Sequence, residues 1–107
     1  MVDEVKCKTF NAKIFIAGPI EQAKQILRKE MFKGGCVNIY PTHYIYRGGE
    51  ESGYVVELIN YPRFPKDEDE LKISAISLAN ELLEETFQGS YTIQFTDETY
   101  FFSRRDW

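Results

Sequence analysis

Residues 36–65 read CVNIYPTHYIYRGGEESGYVVELINYPRFP, and the reading of this stretch decides the fold. Aromatic and β-branched residues lie on both sides of the glycine-rich segment RGGEESG. The pattern predicts two long strands joined by a turn that Gly48, Gly49 and Gly53 can make at positive φ. Tyr40, Tyr44, Tyr46, Tyr61 and the only histidine, His43, sit in or beside this hairpin, which concentrates the least ordinary side-chain chemistry there.

Working outward, residues 8–17 (KTFNAKIFIA) alternate, with Phe10, Ala12, Ile14 and Ile16 toward one side and Thr9, Asn11, Lys13 and Phe15 toward the other. Gly18 and Pro19 break this strand, and Pro19 suits the first turn of a helix, where its missing N–H is not needed. Residues 20–32 then carry Ile20, Ala23, Ile26, Leu27 and Met31 close to one face, with Glu21 near the positive end of the helix dipole. Gly34 and Gly35 end it.

Beyond the hairpin, Asp67 and Glu70 have the spacing of a capping box, which starts a second helix near Glu68. Its predicted buried stripe is Leu71, Ala75, Leu78, Ala79, Leu82 and Phe87, widened by Ile73, Ile76 and Leu83, and Gly89 closes it. The segment YTIQF predicts a strand with Tyr91, Ile93 and Phe95 inward; TYFF predicts a short last strand before the polar tail SRRDW. The order strand, helix, strand, strand, helix, strand is the split βαβ pattern of ferredoxin-like α+β folds. It implies an antiparallel sheet with both helices on one face and strands one and three side by side.

The chain has 107 residues, a length for one domain over residues 1–107. Its 43% hydrophobic and 15% aromatic content fits a packed core, which excludes disorder as the main state. A formal net charge of −4 with no basic cluster opposes a phosphate backbone, so nucleic acid is disfavoured. Cys7 and Cys36 lack any Cys-x-x-Cys or Cys/His companion, which argues against a structural metal and for reduced thiols. The polar start and short apolar runs offer neither a signal peptide nor a membrane span, so the expected location is the cytoplasm.

If both helices cover one sheet face, the other belongs to Lys13 and Phe15 on the first strand and to Asn38, Tyr40, Thr42, Tyr44 and Tyr46 on the second. A sheet face so rich in tyrosine is apolar with polar tips, the composition of an interface or a ligand floor. It predicts a homo-oligomer, a dimer first, held partly by Tyr40, Tyr44 and Tyr46. Lys13 and Arg47 are the cations placed near the tyrosines, so a planar anionic ligand such as a nucleotide could stack on Tyr44 or Tyr46 with its phosphate beside one of them. Glu50 and Glu51 in the hairpin tip oppose a phosphate-binding loop and would suit a basic partner. His43 has no acid or nucleophile at a recognisable spacing, and the sequence offers no catalytic set, no cofactor motif and no metal site.

The segment KIFIAGPIEQ resembles the first strand and loop of nucleoside 2-deoxyribosyltransferases, over residues 13–22. That likeness would imply a longer doubly wound chain with a downstream carboxylate nucleophile, and no matching motif follows. Over most of the chain, FNAKIFIAG, PTHYIYRGGEESG and LINYPRFP resemble a group of small uncharacterised proteins of tailed bacteriophages. The second resemblance implies a protein made in the host cytoplasm during infection, and carries no catalytic residues. Together these readings predict a non-enzymatic binding protein that engages a host protein or a nucleotide-type signal of host defence through Lys13, Phe15, Tyr40, Thr42, Tyr44, Tyr46, Arg47, Glu50 and Glu51. The alternative is a small hydrolase or transferase acting on a nucleoside or nucleotide, with Glu57 or Glu21 working beside Tyr44 and His43.

Overall fold

The computed structural model describes residues 2–104; the end of the tail, residues 105–107, lies outside the described residues. Its elements are β1 (Asn11–Ala17), α1 (Ile20–Met31), β2 (Asn38–Tyr46), β3 (Gly49–Ile59), α2 (Glu68–Glu85), β4 (Ser90–Phe95) and β5 (Thr99–Ser103). The sheet order is β2-β3-β1-β4-β5, and β1 pairs antiparallel with both β3 and β4. This is the expected α+β arrangement, with β5 added outside β4.

The alternation of β1 does what it predicts. Ala12, Ile14 and Ile16 are buried against Leu58, Val56 and Tyr54 in register on β3. The helices cover this face with Ala23, Ile26 and Leu27 from α1 and with Leu71, Ala75, Leu78, Ala79 and Leu82 from α2. The isoleucines, leucines and valine among them, each worth about 1.5–3 kcal/mol when buried, together outweigh any single polar interaction in the molecule. Asp67 caps α2 as expected: its side chain accepts from the Glu70 N–H at 2.7 Å, and the Asp67 N–H donates back to Glu70 at 3.3 Å. Pro19 stands one position earlier than the sequence implies, as the N-cap of α1 with extended backbone.

Two expectations are corrected here. The turn of the hairpin is only Arg47 and Gly48, because Gly49 already pairs with Tyr46; of the three hairpin glycines, Gly48 has positive φ, at 88°, and Gly49 and Gly53 do not. Gly49 and Gly53 serve close approach instead: a Cβ on Gly49 would come 2.9 Å from the Tyr46 ring. Phe87 also leaves the core stripe and is 86% exposed, while Ile73 is 69% exposed. Helix α2 ends at Glu85, and the chain then turns through Phe87 at φ 56°. Gln88 N–H donates to Leu83 O at 2.9 Å and Phe87 N–H to Glu84 O at 3.4 Å, the pattern of a Schellman cap with phenylalanine where glycine is usual. A left-handed non-glycine residue costs about 1–2 kcal/mol.

The ladder between β1 and β3 stops at Ala17 opposite Gly53, whereas β2 and β3 remain paired out to Tyr46 and Gly49. Residues 43–52 therefore form a two-stranded arm that runs past the end of β1. The arm helps stretch the molecule to 53 × 29 × 22 Å.

Candidate functional site

The face of the sheet away from the helices is ordered by register. One row holds Tyr40, Val55, Phe15, Thr92 and Phe101; the next toward the arm holds Thr42, Gly53 and Ala17; Tyr44 and Glu51 pair beyond them. The base of the arm, the end of β1 and the start of β4 enclose a cleft of about 360 Å³. Phe15 and Ala17 lie at its centre, Tyr44 and Glu51 on the arm side, and Gln88, Ser90 and Thr92 on the other.

Tyr44 reaches across β3 toward β1. This is possible only because Gly53 has no side chain: a Cβ there would come 2.5 Å from Tyr44 Cε2 and 2.5 Å from the Ile16 carbonyl oxygen. The Tyr44 hydroxyl donates to the Tyr54 carbonyl at 2.8 Å. Burial pushes this phenol up to about 12, although a backbone hydrogen bond at Ile16 works in the other direction. Tyr44 is therefore a neutral, fixed aromatic wall at physiological pH.

The opposite wall is set by the cap of α2. The turn through Phe87 delivers Gln88 to the cleft, and the Gln88 side-chain Nε2 donates to the Thr86 carbonyl at 3.2 Å. Gly18, at φ 128°, faces that amide, and a Cβ on it would lie 3.0 Å from Nε2. No lysine or arginine lines the cleft among the described residues.

Of the residues singled out in the sequence, the structure gathers Phe15, Tyr44 and Glu51 into this cleft. Thr42 lies one row away beside Gly53, and Tyr40, 41% exposed, flanks Val55. Tyr46 and Arg47 stand at the far end of the arm. Lys13 is held 3.9 Å from Glu57, its cross-strand partner, and neither residue lines the cleft. A phosphate beside Lys13 or Arg47 would therefore lie outside this cleft.

Glu50 lies in the arm on the face opposite to Glu51. There its carboxylate meets His43 Nε2 at 3.0 Å, while Ser52 Oγ lies 3.5 Å from His43 Nδ1. The histidine thus has an acid and a hydroxyl that sequence spacing did not reveal, but all three are exposed and lie away from the cleft. Glu21, the other carboxylate of the enzyme alternative, pairs with Lys24 on the surface of α1.

Sequence reading missed Ala17, Gln88, Ser90 and Thr92. Thr92 shares the open-face parity of β4 and was open to detection from the alternation of YTIQF. Gln88 carries no such signal, because its position depends on where α2 stops. A second groove, of about 320 Å³, opens between α1 and α2. There burial, and then the neighbouring Glu30 carboxylate, push the Glu81 carboxyl up.

No family model and no curated protein matches the chain. Solved structures do. A phage SAM lyase in its apo state aligns with a TM-score of 0.74 at 15% identity, covering 100% of this chain and 98% of that one. The phage SAM lyase in complex with S-methyl-5′-thioadenosine aligns with a TM-score of 0.72 at 13% identity, with the same coverage.

The fold is shared with an enzyme.

That finding overturns the expectation of a non-enzymatic binding protein and leaves the alternative, a small hydrolase or transferase acting on a nucleoside or nucleotide, as the reading to develop. It also agrees with the resemblance to phage proteins, at the level of fold. No described helix is long and apolar enough to cross a membrane.

Proposed function

We propose that the protein is an enzyme that cleaves S-adenosylmethionine and releases S-methyl-5′-thioadenosine, with the cleft between the arm and the Gln88 turn holding the nucleoside. The observation that carries this reading is the composition of the cleft. It combines the aromatic rings of Phe15 and Tyr44 with the Glu51 carboxylate and, among the described residues, no cationic side chain. Such a site disfavours a phosphate and suits an aromatic base attached to a positively charged chain. The whole-chain likeness to a lyase found with S-methyl-5′-thioadenosine supports the same class of ligand.

The chemistry asks little of the protein. Forming S-methyl-5′-thioadenosine breaks the bond between the sulfonium sulfur and the γ-carbon of the amino-acid chain, and the bonding pair stays on sulfur. The substrate's own carboxylate can form the new C–O bond to that carbon, closing a five-membered ring, so atoms and charge balance with no second reactant. What the site contributes is a folded conformation of the chain and removal of water from a reaction in which opposite charges cancel. A carboxylate beside the sulfonium would favour the reactant over the transition state, where that charge is fading. Glu51 is therefore assigned to the substrate's ammonium group, whose charge does not change. Chromatography of S-adenosylmethionine incubated with the protein tests this: S-methyl-5′-thioadenosine should accumulate, and S-adenosylhomocysteine, which lacks the sulfonium, should stay intact.

A second feature supports self-association. Tyr40, Tyr46 and Phe101 are 41%, 54% and 57% exposed on one continuous sheet face. Assembly with further copies of the chain, a dimer at least, would cover them. Light scattering should give a multiple of the monomer mass.

A further inference from the structure

Gln88 is a polar group of the cleft that the sequence did not single out, and its side chain is tied to the backbone at Thr86. A carbonyl oxygen can only accept, so the bond to the Thr86 carbonyl fixes which end of the side-chain amide is nitrogen. Gly18 leaves the space that this amide occupies, 3.0 Å from where a Cβ would stand. The left-handed Phe87 aims the chain so that Gln88 enters the cleft at all. Strained backbone of this kind persists where the surroundings hold it, and it collects at ligand sites. With one Nε2 hydrogen held by the Thr86 carbonyl, the orientation of the amide is set, and Oε1 accepts no hydrogen bond from the described residues in a cleft that also offers aromatic walls.

We propose that Gln88 is the residue that selects the base, accepting a hydrogen bond from the 6-amino group of adenine. The inference rests on the nucleoside reading above and adds the group that is read. An amide oxygen accepts from an exocyclic amine, whereas a 6-oxo purine would present its own acceptor to Oε1 and leave both unpaired. Sites built to hydrogen-bond a substrate group reject analogues that lack it more strongly than apolar pockets reject a change of size.

Calorimetry with S-methyl-5′-thioadenosine and its 6-oxo counterpart, S-methyl-5′-thioinosine, tests the assignment. The wild-type protein should bind the 6-amino compound roughly tenfold or more tightly. Gln88→Leu and Gln88→Ala should bring the two affinities together by weakening the 6-amino compound, with melting temperatures kept near wild type. Equal wild-type affinities overturn the proposal without touching the nucleoside reading, as does a preference that survives in either variant. A wild-type protein that binds neither compound overturns both.

Discussion

The Tyr44 ring and the backbone of Gly53 occupy one another's space: a Cβ at residue 53 would come 2.5 Å from Tyr44 Cε2 and equally close to the Ile16 carbonyl oxygen. The close approach of three strands, the anchored hydroxyl and the aromatic wall of the cleft all follow from that missing methyl group. Gly53→Ala should therefore cost on the order of 1–3 kcal/mol, as overpacked sites do, and lower the melting temperature by several degrees. Gly48→Ala meets nothing within 4 Å and bears only the strain of positive φ, so it should melt between Gly53→Ala and the wild type. Equal melts for the two variants would contradict the packing account of Gly53.

Phe87 makes the opposite case. Its ring is 86% exposed while its backbone sits at φ 56°, so the side chain gains little from folding and the backbone loses about 1–2 kcal/mol. Phe87→Gly should melt at or above the wild type in calorimetry, the gain being limited by the greater freedom of glycine in the unfolded chain. A clear loss of stability would show that the ring packs in solution.

Alkaline pH should unfold the protein through its buried phenols. Burial pushes Tyr44 and Tyr54 up from 10.0 to about 12. The folded state keeps protons that the unfolded chain releases above pH 10, so their contribution is intact below that value and fades as pH rises toward 12. Denaturant midpoints measured between pH 9 and 12 should fall, and Tyr44→Phe should make the fall shallower.

The substrate's ammonium group is assigned to Glu51, so Glu51→Gln should raise KM several-fold, the scale of one exposed charge-assisted hydrogen bond, with a smaller change in kcat. A variant that loses kcat at unchanged KM would place the carboxylate in the chemical step instead.

The sequence reading and the structure agree where periodicity alone decides. The parity of β1 puts Phe15 on the open face and Ile14 in the core, and the alternation of β2 puts Tyr44 on the side of Phe15. They part where the answer depends on pairing. Lys13 reads as a free cation until register sets Glu57 opposite it, and Glu50 reads as a neighbour of Glu51 until alternate faces separate them. Phe87 fits the helical stripe in sequence, yet the helix ends two residues before it, and the position of Gln88 follows from that ending. The arm is legible as a hairpin, but its reach beyond β1 is fixed by where the ladder to β3 stops.

The central claim is that this cleft cleaves S-adenosylmethionine. Purified wild-type protein should convert S-adenosylmethionine to S-methyl-5′-thioadenosine in buffer alone, with turnover abolished or reduced at least tenfold in Tyr44→Ala, since aromatic contacts to a base are worth about 1–3 kcal/mol. S-adenosylmethionine that remains intact with folded wild-type protein, or a Tyr44→Ala variant with undiminished turnover, would contradict the account.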